Sequence, residues 1–218
     1  MTLTDSTQVA VKCLRQHDPK HVKRTARELR MFGDGIPVDG VWKYRLGLEE
    51  MARHKAASTI EFLHSENVVH GDIKGDNLVM DNDGVIKLMD FGLAIMNEAV
   101  FRFSQTDPGG GTSRWMAPEL YGDDPQRSKE TDVYAMGMTM LEIITGDVPF
   151  REIKVGHAVG MAVAHHRRIP RVPELEAETA SGQDMMVHGL LKWCWKYDPK
   201  ERPTAGKVVS ALDPLVEN

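Results

Sequence analysis

Apolar positions along the chain change period several times, and each change predicts an element. Val9-Ala10-Val11-Lys12-Cys13-Leu14 is a short β-branched run of the kind that forms a strand. Val22, Ala26 and Leu29 recur at helical spacing, which predicts a helix from about His21 to Phe32. A turn-rich piece, Gly33 to Gly40, follows. Leu48, Met51, Ala52, Ala56, Ile60 and Leu63 then fall on one face of a second helix ending near Ser65. Val68-Val69 is a short extended piece. Leu78-Val79-Met80 and Ile86-Lys87-Leu88 flank Asp81-Asn82-Asp83-Gly84, the pattern of a hairpin. Beyond Thr131 the chain reads as helix and loop, broken at Pro149, Pro170, Pro173, Asp198-Pro199 and Pro203. Strands placed early and helices late predict an α+β fold that is mainly helical.

The longest apolar stretch, Val133 to Ile144, is too short to cross a bilayer and is interrupted by Gly137, Thr139 and Glu142. It predicts a buried core helix. Trp193, Trp195 and Tyr197, preceded by Met185, Met186, His188, Leu190 and Leu191, read as the last turns of another core helix. His165-His166-Arg167-Arg168 reads as a solvated helix end before Pro170.

Composition narrows the field. With 218 residues, 41% hydrophobic and 27% charged, the chain can bury one core and a small second lobe. A net charge of −5 supplies no basic field, so nucleic acid is not an expected partner. The two cysteines, Cys13 and Cys194, are far apart in sequence and form neither a disulfide framework nor a zinc motif. No basic stretch leads into an apolar run at the N-terminus, so neither a signal peptide nor a membrane segment is expected, and a cytoplasmic or nuclear protein is.

The chemistry is concentrated in three motifs. His70-Gly71-Asp72-Ile73-Lys74-Gly75-Asp76-Asn77 is followed by Asp90-Phe91-Gly92 and then by Ala117-Pro118-Glu119. A carboxylate, an asparagine five residues on and a second carboxylate are the parts needed to hold magnesium against a polyphosphate. They can also orient a hydroxyl for attack on it. An acidic turn at Asp81 to Gly84 resembles a calcium loop only superficially, because Val79 would occupy its first ligand position.

In order and spacing these motifs resemble the signature set of the protein kinase family. Leu63-His64-Ser65-Glu66-Asn67, Gly137-Met138 and the passage from Gly111 to Glu119 look most like its tyrosine-kinase-like branch, whose members mostly phosphorylate Ser/Thr. The resemblance implies a kinase-like fold, ATP and Mg2+ as cofactors, and a protein substrate or partner protein. It implies Asp72 as the base that accepts the hydroxyl proton and Lys74 beside the transferred phosphoryl group. Asn77 and Asp90 would hold magnesium. Lys12 would bind the α- and β-phosphates, with Glu28 as its ion-pair partner. Glu119 and Arg202 would form a buried ion pair, Asp132 would brace the catalytic loop through backbone N–H groups, and His70 would be structural. Ser104 and Thr106 fall in the implied activation segment, where ordinary loop hydroxyls are the simpler reading.

The chain also departs from the family. Gly71 stands where many kinases carry an arginine that binds a phosphate on the activation segment, and glycine cannot do so. Turnover is therefore expected to be unchanged by phosphatase treatment. Eight residues precede Val9, too few for a glycine-rich strand–turn–strand, and Gly33-Asp34-Gly35 follows the lysine strand instead of preceding it. Gly33 to Leu46 supplies fourteen residues, where two further strands, a hinge and a short helix need well over twenty. Residues 1–45 are expected to be a remnant of the small lobe, and 46–218 the large lobe. Two further functional readings follow. One is a catalytically silent, kinase-like binding module. The other is a metal-dependent phosphoester hydrolase, which leaves Ala117-Pro118-Glu119 and Arg202 unexplained.

Overall fold

In the computed structural model the described residues are 48–80, 86–91, 93–96, 99–100, 112–172, 175 and 180–216. The expected strand at 9–14, the helix at 21–32, Lys12, Glu28, the tip of the 78–88 hairpin, Ser104 and Thr106 lie outside them.

The core is organised around α2, Lys129–Thr145, which is buried without a break from Thr131 to Leu141. A helix that is apolar on every side has to sit inside the protein, and this one does. It begins earlier than its apolar stretch because Ser128 caps it. The Ser128 side chain accepts the Thr131 N–H while the Thr131 hydroxyl accepts the Ser128 N–H. It ends at Gly146, whose φ of 63° closes the last turn on the Glu142 carbonyl.

Helix α1, Leu48–Ser65, packs on α2 and on α5, Ala205–Val216. Ala52, Ala56, Ala57, Ile60 and Leu63 are its buried stripe, and Val208, Leu212 and Leu215 are that of α5. His54 and Asp213 join the two helices at their edge, 2.7 Å apart. A short helix α3, Gly156–Gly160, runs into a π-helical turn at Met161–His165, after which His165 to Ile169 are exposed.

Helix α4, Gly182–Cys194, starts at a second capping box, Ser181 with Asp184. It approaches α2 so closely that a Cβ on Gly137 would lie 2.8 Å from the Cβ of Cys194. The three aromatic residues expected to end this helix divide. Trp195 is its buried C-cap, Trp193 is 37% exposed on its outer face, and Tyr197 lies beyond it. The helix stops at Cys194, so the alternate spacing of the three rings spans a helix end.

The β-structure is minor. Strands β2 (Leu78–Met80) and β3 (Ile86–Leu88) pair antiparallel, with Leu78 opposite Leu88. β1 (Val68–Val69), β4 (Ile95–Met96) and β5 (Ala99–Val100) form a second sheet in the order β1-β4-β5. The fold is α+β and mainly helical, as its pattern of elements predicts. Among the described residues no helix is long and apolar enough to cross a membrane.

Candidate active site

Strand β1 delivers the chain to His70, and the loop that follows is held from below by Asp132. This carboxylate is in the first turn of α2, near the positive end of the helix dipole, and is 1% exposed. Its Oδ2 accepts the His70 N–H at 2.8 Å and its Oδ1 the Gly71 N–H at 2.9 Å. His64, on the last turn of α1, contributes Nε2 at 3.0 Å. A buried carboxylate is tolerable only when so many donors meet it. At Gly71 the backbone turns through φ 78°, a conformation glycine adopts without strain. The space a side chain would need there is occupied by Arg127, whose Cδ lies 2.5 Å from the ideal Cβ position.

Asp72 follows and is 3% exposed. Its Oδ2 accepts Lys74 Nζ at 2.8 Å and Asn77 Nδ2 at 3.1 Å, whereas its Oδ1 is buried with no hydrogen-bond partner. Leaving such an oxygen unsatisfied costs about 1–3 kcal/mol, and a catalytic role is one explanation for such a cost. Asn77 Nδ2 also donates to the Asp72 carbonyl at 2.7 Å. Both of its partners are acceptors, so the amide nitrogen is the atom facing Asp72 and the amide oxygen faces away. Lys74 Nζ reaches Thr112 Oγ1 at 3.2 Å as well, and so bridges Asp72 to the turn at 112–114.

Asp90 enters through the β2–β3 hairpin. The Met89 N–H donates to the Asn77 carbonyl at 2.8 Å, which fixes Asp90 one residue beyond Asn77's backbone partner. Asp90 has φ 61° and is exposed. His70 ties the two halves together. Its Nε2 donates to the Met89 carbonyl at 3.1 Å, its Nδ1 accepts the Asp72 N–H at 3.2 Å, and its ring stands edge-on to Phe91 at 4.8 Å. Burial lowers the His70 pKa, and the neighbouring Asp132, Asp72 and Asp90 carboxylates only partly oppose this.

A magnesium site assembled here would take the Asn77 amide oxygen and the Asp90 carboxylate, both hard oxygen donors of the kind Mg2+ prefers. The Asn77 oxygen is turned away from its Asp72 contacts, which suits that use. Among the described residues no three His, Cys, Asp or Glu side chains cluster to hold a metal without help. Phosphate oxygens and water would have to complete the shell.

The outer part of the site is pinned by arginines. Arg202 forms a two-pronged pair with Glu119, at 2.6 and 2.7 Å, and also donates to the carbonyls of Lys196 and Glu130. Arg114 donates to the carbonyls of Pro149, Phe150 and Ile153 at 2.6–2.9 Å and so fastens the 112–114 turn to the 149–153 loop. Thr112 and Arg114 fall in the Gly111-to-Glu119 passage that resembles the family's, although their contacts, 35 to 39 residues away, do not show in it. Arg127 and Glu142, whose partners lie 27 to 67 residues away, stand in no motif. Only Glu142 left a trace, as a carboxylate interrupting the longest apolar stretch.

Comparison with known proteins gives this arrangement its family. The family model described as a protein kinase domain matches residues 49–212. The serine/threonine/tyrosine-protein kinase HT1 of Arabidopsis thaliana is 31% identical over 172 residues, covering 78% of this chain and 41% of that protein. The probable serine/threonine-protein kinase SIS8 of the same plant is 33% identical over 162 residues, 73% of this chain and 15% of that protein. Mitogen-activated protein kinase kinase kinase A of Dictyostelium discoideum is 32% identical over 150 residues, 69% of this chain and 15% of that protein. The chain thus spans less than half the length of each of these relatives. With its domain model matched across most of its length, the chain belongs to the protein kinase family.

Proposed function

We propose that this chain transfers the γ-phosphoryl group of ATP, with Mg2+, to serine or threonine hydroxyls of proteins. The observation that carries this reading is the asymmetry of Asp72. One carboxylate oxygen is neutralised by Lys74 and Asn77, while the other is buried without a partner. A hydroxyl presented to Oδ1 gives up its proton there as the bond from its oxygen to Pγ forms, the Pγ–Oβ bond breaks and ADP leaves. Lys74 holds Asp72 in place and faces the developing charge on the phosphoryl oxygens. Bound at Asn77 and Asp90, magnesium would neutralise charge on the phosphates.

On the nucleotide side this reading takes Lys12 and Glu28, with residues 1–45 as a remnant of the small lobe and 46–218 as the large lobe. A serine or threonine acceptor agrees with Lys74 and with its hydroxyl neighbour Thr112 beside the base. It also agrees with the kinase names of the relatives.

Thermal unfolding with and without Mg-ATP tests the reading. A ligand at 100 times its dissociation constant stabilises the folded state by about 2.7 kcal/mol. The expected outcome is a magnesium-dependent rise in melting temperature at millimolar ATP. Absence of any shift would favour the catalytically silent module that only binds partner proteins.

A further inference from the structure

Gly71 brings no side chain to the backbone ahead of Asp72, and a residue 56 positions further on takes the space. A Cβ at Gly71 would lie 2.5 Å from Arg127 Cδ and 3.1 Å from its Nε. The same Nε donates to the Gly71 carbonyl at 3.3 Å. Arg127 thus lays its stem on the glycine and its guanidinium on the peptide group that joins Gly71 to Asp72. Its backbone adjoins Ser128, the cap of α2, while its side chain lies at the surface.

The N–H groups on either side of this glycine are already spoken for. Asp132 Oδ1 accepts the Gly71 N–H at 2.9 Å, and His70 Nδ1 accepts the Asp72 N–H at 3.2 Å. The Gly71 carbonyl remains, and among the described residues Arg127 is its one donor. That carbonyl shares a rigid plane with the Asp72 N–H, so one cannot turn without the other. Glycine has more backbone freedom to lose than any other residue. Rotation of the plane breaks the His70 bond and swings the Asp72 side chain away from Lys74 and Asn77. A guanidinium suits the task of preventing this, since it keeps its charge at every working pH and a charged donor bonds more strongly than a neutral one.

We propose that Arg127 is a positioning residue for Asp72, holding the Gly71–Asp72 peptide plane from outside the catalytic loop as a side chain on residue 71 would from within. The catalytic consequence rests on the phosphotransfer reading, whereas the contact itself can be read without turnover.

The experiment follows hydrogen exchange in a peptide covering 70–74 of the whole chain, alongside phosphoryl transfer with Mg-ATP and a protein substrate. Arg127 is exposed, so its variants are expected to keep the wild-type melting temperature within a degree or so. Arg127→Ala is expected to raise exchange in 70–74 and lower kcat, each about two- to tenfold for a hydrogen bond of this kind. Both KM values stay unchanged. Arg127→Met keeps the stem without a donor and falls between the two. Arg127→Lys keeps stem and donor and recovers most of the loss. Millimolar guanidinium, added to Arg127→Gly, restores part of the transfer, and the same concentration of sodium does not. Unchanged exchange and unchanged kcat in Arg127→Ala overturn the proposal. So does a loss that Arg127→Lys shares in full and guanidinium leaves untouched. A wild type that shows no transfer defeats the phosphotransfer reading instead, and exchange in 70–74 still decides the contact.

Discussion

The Nδ1 atom of His70 accepts the backbone N–H of Asp72 at 3.2 Å, while Nε2 of the same ring donates to the Met89 carbonyl at 3.1 Å. One nitrogen must be an acceptor and the other a donor, so the arrangement requires a neutral imidazole with its proton on Nε2. Protonation would set a second N–H against that of Asp72.

Burial lowers the His70 pKa from its ordinary 6.5, so the unfolded chain binds this proton more readily than the folded one. Its contribution to stability is complete above pH 6.5 and is lost as pH falls from there through the lowered folded value. Denaturation midpoints measured across this range are expected to fall more steeply for the wild type than for His70→Asn. Parallel profiles would mean that the imidazole is not held neutral.

Arg202 has its guanidinium fully buried, paired with Glu119 at two points and bonded to backbone carbonyls. Arg202→Ala strands both the carboxylate and those carbonyls, and the loss is expected to be about 3–5 kcal/mol. Arg202→Lys keeps the charge but cannot reproduce the fork, so it should recover only part. Urea midpoints with unchanged m-values would check both; a loss under 1 kcal/mol for the alanine variant would show the pair to be incidental.

Substituting Gly71 tests the catalytic-loop turn. Arg127 can swing away from a new Cβ, but the Leu93 carbonyl, 3.0 Å off, belongs to the backbone, and the φ of 78° remains. Gly71→Ala is expected to cost about 1–3 kcal/mol, and adding Arg127→Ala should recover little of it. Full recovery in the double variant would place the whole cost on the arginine contact.

Gly137→Ala probes the α2–α4 contact. The added methyl meets Cys194 Cβ and Trp195 Nε1, each at 2.8 Å, in a part of the core with no flexible side-chain end to move aside. Overpacking of this kind costs about 1–3 kcal/mol, readable as a lowered melting temperature. An unchanged one would show that the helices separate without penalty.

Elements with a sustained period are legible in the sequence. Helix α1 has an apolar stripe over four turns, and α2 has an unbroken apolar run; both lie where the pattern puts them. The β2–β3 pair was legible from its Asx-Gly turn. The β1–β4 pair was not, because two-residue strands carry no period and their partners are 26 or more residues apart. The start of α2 at Lys129 depends on the Ser128 cap and not on hydrophobicity.

Within the site, Asp72, Lys74 and Asn77 lie so close in sequence that one tight loop brings them into contact. Asp90 arrives by hairpin register. Glu142, bonded to the Gly75 N–H and the Trp115 indole, and Arg114, bonded to three loop carbonyls, act over long sequence separations that leave no pattern in the residues they touch.

The central claim is that Asp72 is the base, and Asp72→Asn tests it most directly, since the amide keeps its size and cannot take up a proton. With Mg-ATP binding matched between the two proteins, phosphate transfer onto a protein substrate is expected to fall by about 10²–10⁴. Equal transfer by wild type and Asp72→Asn would contradict the account.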